Sequence, residues 1–461
     1  MVPGLFRDEG QGGGGDVIAE RIGESSRANL GALADLISPR TGIIRSLSRV
    51  SRGTEEPSPP VVCQSLVSQF DYRTASTKDR LAAGKGETEQ EAMLGAIGEA
   101  LERYCAYQEN PDAVFRATAS DLGKAAIPPA DFVLYSDRQY SLPGFKYAKP
   151  DMQTPIGWTR AVELPARSEA FVPASLVYLY FNTEGPDGYF CPPTSNGLAA
   201  GPSLDSAVLS GLYELIERDA FLITWMNRLV VTRVDYSSMS GIAARIRSHY
   251  ARFGIEALVY DITTDIGVPV MMAMAVDRSG GGPAVVVGLG CHLNPGVALK
   301  KALMEVCQVR PSQSIKFAKS SPAEILKTYG DVKTLEDHAG FAAIPGNLHE
   351  FDFLWNSGRS RQIEEIPNDS AGEEKSDLAH CVGLLRAAEC RVAYVDLTTP
   401  DVAPYGVHVV RAIATGLQPI HFGTGEERLG GRRLFETAWR LGSAAGIRTE
   451  ADLNPCPHPL P

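Results

Sequence analysis

Two glutamates three residues apart, followed at once by arginine, occur twice in this chain: Glu99, Glu102 and Arg103, then Glu214, Glu217 and Arg218. A third cluster, Glu305, Gln308 and Arg310, has an amide in place of the second acid. Each cluster closes a segment that opens on a helix-capping residue, Thr88, Ser203 or Asn294, the last followed by Pro295. From cap to first acid the spacing is the same each time: 99 − 88, 214 − 203 and 305 − 294 all give 11. That distance is about three helical turns, which puts cap and acid on one face. Carboxylates one turn apart repel each other by a few tenths of a kcal/mol. Either water solvates them on an open face, or a divalent cation sits between them. Mg2+ is held by one or two carboxylates together with phosphate oxygens, and the arginines would meet the phosphates.

Small residues crowd the same segments: Gly95, Ala96 and Gly98 in the first, Ala207, Ser210 and Gly211 in the second, Ala298 and Ala302 in the third. They let helices approach closely, so the acids are expected to face a shared cleft that takes Mg2+ and phosphate. Gly84-Lys85-Gly86 precedes the first helix, and Asn196-Gly197 through Gly201 precedes the second. Both are expected to offer backbone amides to an anion. Walker A spacing is absent, which excludes ordinary P-loop chemistry. The clusters lie 115 and 91 residues apart (214 − 99, 305 − 214), too uneven for a solenoid.

The elements that must position these groups read as α/β. Strands are expected at Leu258 to Ile262, Pro269 to Val276, Ala284 to Leu289, Arg391 to Val395 and Val407 to Ile413, with helices between them. A first strand is expected soon after Ser38. Residues 1–37, with glycines 12–15, read as a flexible arm carrying a short helix near Ser25 to Leu36. The polar stretch Trp355 to Ser376 reads as an exposed insertion, and 378–461 as a C-terminal lobe. The chain ends Pro455-Cys-Pro-His-Pro-Leu-Pro461. Prolines at alternate positions stiffen an extended strand, so this tail is either disordered or built to deliver its terminal carboxylate to a cleft.

Composition narrows the classes. With 461 residues, 44% hydrophobic and 21% charged, the chain is globular, with material for two to three domain-sized units. A formal charge of −11 argues against nucleic acid or an anionic membrane as partner. No apolar run approaches the roughly 20 residues of a membrane span, and the first residues lack a signal-peptide core. A cytoplasmic location is expected. The eight cysteines include no Cys-x-x-Cys, so neither a zinc ribbon nor a disulfide framework is indicated, and Cys291 and Cys307 read as packed thiols. His421 and His458 read as structural rather than acid/base groups.

In Gly84-Lys85-Gly86, Glu99-Ala-Leu-Glu102-Arg103, Ser210-Gly-Leu-Tyr-Glu214-Leu-Ile-Glu217-Arg218-Asp219 and Glu305-Val-Cys-Gln308-Val-Arg310, the sequence resembles the YcaO superfamily over residues 38–461. The proline-rich end and Gly416-Leu-Gln-Pro-Ile-His-Phe-Gly423 resemble its azoline-forming cyclodehydratases. The resemblance implies an α/β fold of mixed sheets and long helices around a non-P-loop ATP site. It implies Glu99, Glu102, Glu214 and Glu217 as Mg2+ ligands. Lys85, Arg103, Asn196, Ser210, Arg218, Gln308 and Arg310 would lie at the nucleotide, although the first helix has Gly95 where the family favours serine. Arg218 would stabilise the transferring phosphoryl group, and the Pro461 carboxylate would assist proton transfer. The implied reaction is ATP-dependent conversion of Cys, Ser or Thr of a ribosomal precursor peptide into azolines. Backbone thioamidation and a non-catalytic nucleotide- or peptide-binding scaffold are the alternatives. Implied partners are the precursor, a separate E1-like leader-binding protein and a flavin dehydrogenase, in a synthetase complex containing more than one copy of this chain.

Overall fold

The computed structural model describes residues 19–21, 30–68, 80–107, 113–179, 181, 188–319 and 322–461. Three sheets are present among them. An antiparallel sheet of four strands runs β1 (Ala19–Arg21), β2 (Ile44–Val50), β3 (Val61–Val67) and β4 (Leu81–Gly86). The second has the order β5 (Val114–Ala117), β6 (Ile156–Leu164), β14 (Val392–Asp396), β15 (His408–Ala414) and β8 (Leu198–Gly201), with β7 (Ser168–Pro173) pairing β6. The third has the order β12 (Val285–Cys291), β11 (Val270–Asp277), β10 (Ile255–Asp261), β9 (Thr232–Asp235) and β13 (Ser360–Gln362). The helices of eight or more residues are α1 (Glu89–Tyr107), α2 (Leu204–Asn227), α3 (Gly241–Arg252), α4 (Pro295–Lys319), α5 (Leu335–Ala342), α6 (Glu374–Ala387) and α7 (Arg432–Arg440).

The sequence explains why the two larger sheets are buried on both faces. Every residue of β11 is buried; Val270, Met272, Met274 and Val276 face the core built on α2, while Met271, Ala273 and Ala275 face that built on α4. A continuous apolar run, rather than alternation, is the signature of a strand covered on both sides. In β14 the same division puts Val392 and Tyr394 with α2, and Ala393 and Val395 with α1. α1 therefore lies between the first and second sheets and α2 between the second and third, while α4 covers the other face of the third.

The expected strands in the second half of the chain are present within a few residues of their expected ends. The domain picture differs. Residues 378–461 do not stand apart as a lobe, because β14 and β15 occupy the middle of the second sheet, between β6 and β8. The polar stretch 355–376 is mostly exposed, yet it supplies β13, which pairs in parallel with β9. Within the expected arm, Ala19–Arg21 pairs with β2, and Leu30, Leu36 and Ile37 are buried around a 3-10 turn, Gly31–Leu36. Residues 1–18 and 22–29 lie outside the described residues. No described helix is long and apolar enough to cross a membrane. All eight cysteines are free and buried.

Candidate active site

One strand–helix device is used three times. Each key helix is capped as its sequence indicates: Thr88 and Glu91 form a reciprocal box, the Ser203 side chain accepts from Ser206 N–H, and Asn294 Oδ1 accepts from Gly296 N–H. Each helix also lies directly on the backbone of the strand before it. A Cβ on Gly84 of β4 would fall 2.1 Å from the Ala92 carbonyl oxygen and 2.2 Å from Ala96 N. On Gly290 of β12 it would fall 2.1 Å from the Ala298 oxygen, and on Gly201 of β8 2.8 Å from Ala207 N. This contact replaces the expected anion-binding loops: Gly84-Lys85-Gly86 lies within β4, and Leu198–Gly201 forms β8. Glycine is needed there for close approach of helix and strand.

The close approach lets the first acid of each helix reach the strand. Ala83 N–H donates to Glu99 at 2.8 Å, Gly197 N–H to Glu214 at 2.9 Å, and Leu289 N–H to Glu305. The separations, 99 − 83, 214 − 197 and 305 − 289, are 16, 17 and 16 residues. Cross-links then join the units. Ala200 N–H donates to Glu102 at 2.8 Å, and Lys85 Nζ of β4 pairs with Glu305 of α4 at 3.0 Å. Glu99 pairs with Arg103 at 2.7 Å, and Arg218 lies 3.4 Å from Glu217 and 3.9 Å from Glu214.

The electrostatics show these acids acting on one another. Burial, then the charges of Glu99 and Glu214, push the Glu102 carboxyl up to about 8. Burial also raises Glu217, to about 7, with Glu305 and Glu214 adding to it against Arg218. Glu214 is raised mainly by burial. Burial would raise Glu305 as well, but Lys85 and Arg218 outweigh it and hold that carboxyl low. Among the described residues no three of these acids bring oxygens within 4.8 Å of one another. They line a cleft instead of forming a compact cage. Mg2+ prefers that arrangement, since it keeps water and phosphate in most of its coordination sphere and takes few protein oxygens. The residues present fit Mg2+ with a polyphosphate: Glu102, Glu214 and Glu217 need positive charge, and Lys85, Arg103 and Arg218 stand among them.

The remaining candidates are placed less uniformly. Ser210 is exposed on α2, one turn before Glu214, and Gln308 is half-buried one turn after Glu305. Arg310 is 1% exposed and pairs with Glu56 at 2.5 Å and Glu55 at 3.4 Å, over the Tyr250 ring, so its contacts lie away from the other acids. Asn196 is buried, and its Nδ2 has no partner. It lines a pocket enclosing about 750 Å³, mouth included, together with Tyr178, Arg218, Arg411, Gln418 and Arg428. Gln418 Oε1 is a second buried atom without a partner there, so the pocket offers an unmet donor and acceptor to a polar ligand.

Glu305, the first acid of the third cluster, joins the cleft through Lys85, although its cluster lacks the second acid. Two further groups went unassigned in the sequence. Lys301, one turn earlier on α4, feels Glu217 and Glu305. Arg411, an arginine amid the apolar residues of β15, donates to the carbonyls of Val177, Thr194 and Asn196, and burial lowers it to about 10. A lone charge in an otherwise apolar strand was the available signal for it. Asp219, by contrast, is fully buried and pairs with Arg433 at 2.7 Å, fastening α2 to α7.

The proline-rich tail is ordered. Trp225 Nε1–H donates to the Cys456 carbonyl at 2.9 Å, the His458 ring lies 6.1 Å from that of Phe221, and residues 456–460 are buried with Pro461 exposed. The tail thus runs back along α2 toward Arg218, whose charge reaches His458.

Residues 83–418 match the family described as "YcaO cyclodehydratase, ATP-ad Mg2+-binding". The chain belongs to the YcaO family. A relative from Methanothermobacter thermautotrophicus, described only as an uncharacterized protein, is 32% identical over 76% of this chain and 84% of its own length. Among solved structures, a heterocyclase in complex with substrate and cofactor is similar at a TM-score of 0.78 and 25% identity, covering 94% of this chain. The heterocyclase TruD is similar at 0.64 and 27%, covering 80%. This YcaO chain spans 57% and 50% of those two longer chains. The YcaO protein of Methanopyrus kandleri, bound with AMPPCP and Mg2+, shares the fold at 0.58 and 21% identity, covering 81% of this chain and 86% of that one.

Proposed function

We propose that this YcaO protein is an ATP-dependent peptide cyclodehydratase that converts Cys, Ser or Thr of a ribosomal precursor peptide into thiazolines or oxazolines. The observation that carries the reading is the cleft in which acids from α1, α2 and α4 raise one another's pKa while arginine and lysine stand between them. Family membership and the likeness to two heterocyclases support it.

The side-chain thiol or hydroxyl of the peptide attacks the preceding carbonyl carbon, whose oxygen then needs a better leaving form. Bound ATP with Mg2+ supplies the phosphoryl group and the charge neutralisation that make that oxygen leave as phosphate, with ADP as second product. The chain's own groups do the positioning. Glu99, Glu102, Glu214 and Glu217 hold the cations; Lys85, Arg103 and Arg218 face the phosphate oxygens, where fixed charges act without reorganisation. Asn196, Ser210 and Gln308 contact the nucleotide from the flanks, and Arg310 steadies α4 beneath it.

The tail supplies the proton acceptor. From His458, level with Phe221, three more residues at about 3.1 Å each cover about 9 Å, or six residues of helix at about 1.5 Å. On such a path Pro461 would stand near the level of Leu215, between Glu214 and Arg218, and its carboxylate would take the amide proton as the phosphate leaves. The precursor is delivered by a separate leader-binding partner. The microcin synthetase complex from E. coli, which shares this fold at a TM-score of 0.56 and 16% identity, provides a precedent for an assembly of several proteins.

The test is reconstitution with candidate precursor and partner, following ADP release and peptide mass. Loss of one water per ring with one ADP formed is expected. Exchange of oxygen for sulfur would assign thioamidation, and no mass change with any precursor would leave a scaffold.

A further inference from the structure

Outside the cleft, three buried histidines converge from separate parts of the chain: His338 on α5, His421 after β15, and His458 in the tail. One ring nitrogen of each lies within 4.8 Å of the other two. Their hydrogen bonds leave that meeting point empty-handed. His338 Nδ1–H donates to the His458 carbonyl at 2.8 Å, and His458 Nε2–H donates to the His421 carbonyl at 3.0 Å. The opposite nitrogens, His338 Nε2 and His458 Nδ1, are buried lone pairs without a partner, and His421 Nδ1 is likewise buried and unpartnered. Buried polar atoms left unmet are costly, and here three of them sit around one point that a bound cation would satisfy.

We propose that these three histidines hold one late first-row divalent ion, of the Zn2+ class, separate from the Mg2+ cleft. Two features match such a site. Metal-bound histidines commonly donate their second ring nitrogen to a backbone carbonyl, as His338 and His458 do here. All three rings are neutral, as ligation requires, because burial lowers His338 to about 4 and His421 to about 3, and holds His458 well below the usual imidazole range. The donor set is wrong for Mg2+, which selects oxygen. Bonds of about 2.1 Å in a tetrahedron set the nitrogens about 3.4 Å apart, so the group must tighten. The His338 and His458 rings stack at 3.8 Å and 9°, and one must tilt; the His421 ring already crosses them at 77° and 78°. Water takes the fourth position. The ion fastens the tail to α5 three residues before Pro461. The inference is independent of which reaction the cleft performs.

The test uses untagged full-length protein, purified without chelator and checked for folding by circular dichroism. After exposure to Zn2+ and dialysis, one equivalent of zinc per chain is expected by elemental analysis. Co2+ in its place should give the intense visible bands of a tetrahedral site. His421→Ala, and separately His338→Asn, should weaken binding at least about tenfold, while Glu102→Gln leaves it unchanged. Stripping zinc from the wild type, which requires no substitution, should speed carboxypeptidase trimming of the tail. The proposal is overturned if folded wild type retains no stoichiometric zinc and shows no tetrahedral cobalt spectrum. It is also overturned if the His421→Ala protein binds zinc as tightly as the wild type, since the ion would then lie elsewhere.

Discussion

Glu102→Gln should make the metal-free protein more stable and the enzyme inactive, because what the cleft gains for cations it loses in stability. The carboxyl sits at about 8 in the folded chain against an ordinary 4.5. Between those values the folded protein holds a proton that the unfolded chain releases, so stability falls as pH rises through that window. At about pH 7.5 the loss is about 4 kcal/mol, from about 1.4 kcal/mol per unit over three units. The side chain is half-buried beside an open cleft, and solvent screening reduces this to about 1–3 kcal/mol. Glutamine has the same shape and still accepts from Ala200 N–H, but carries no charge to bury. For a chain of 461 residues, an unfolding entropy of about 2 cal/mol/K per residue converts the gain into about 1–3 °C. Differential scanning fluorimetry without metal should show that rise. With Mg2+ and ATP at about 100 times Kd, the wild type should gain about 2.7 kcal/mol and close most or all of the gap to the variant. Ring formation by the variant should fall at least about 100-fold. A variant that is less stable without metal, yet responds to Mg2+ and ATP like the wild type, would refute the placement of Glu102 at the cations.

Asp219 belongs to the same motif but to a different job: Asp219→Ala leaves the buried Arg433 guanidinium with Asp265 alone and Gln418 N–H without its acceptor, and should cost about 1–3 kcal/mol in urea unfolding without changing Mg2+ affinity in the fraction that folds. Gly84→Ala forces its Cβ into the Ala92 carbonyl, and the resulting shift of α1 should weaken ATP binding at least about tenfold by calorimetry. A Gly-Ser extension after the exposed Pro461 should leave the melting temperature within about 1 °C. The same extension should cut turnover at least about tenfold, since it removes the carboxylate from its place; unchanged turnover would dismiss the tail from the chemistry.

The sequence made the helices legible because their caps, small residues and acids repeat at one spacing, and each signal is local. The strands beneath them were harder. β4 is written Leu-Ala-Ala-Gly-Lys-Gly and β8 Leu-Ala-Ala-Gly, which are poor strand formers by propensity; tertiary contact with a helix overrides propensity there. The glycines were therefore read for their free amides when their function is to have no side chain. The order of the second sheet was equally hidden, since β14 and β15 enter between β6 and β8 from more than two hundred residues away along the chain from β6. Arg310 follows Glu305 by five residues where Arg103 and Arg218 follow their first acids by four, and Glu56 captures it from a loop that no spacing on α4 could reveal.

The raised carboxyls also fix how the cleft should respond to pH. Near pH 6.5 the folded, metal-free protein carries protons on both Glu102, at about 8, and Glu217, at about 7. A cation that takes their oxygens must displace those protons, so Mg2+ binding in the presence of a nonhydrolysable nucleotide releases up to about two protons there and none above about pH 9. The apparent affinity then rises with pH through the window from about 6.5 to 8, opposite in sign to the stability of the metal-free chain over the same range. Titration calorimetry in two buffers of different ionisation enthalpy measures the released protons directly. Glu102→Gln should reduce the count by about one, and Glu217→Gln by about one at the lower pH. A proton count of zero at every pH would mean that the acids were already ionised and solvated before the cation arrived, and the argument that burial has primed them for it would fail.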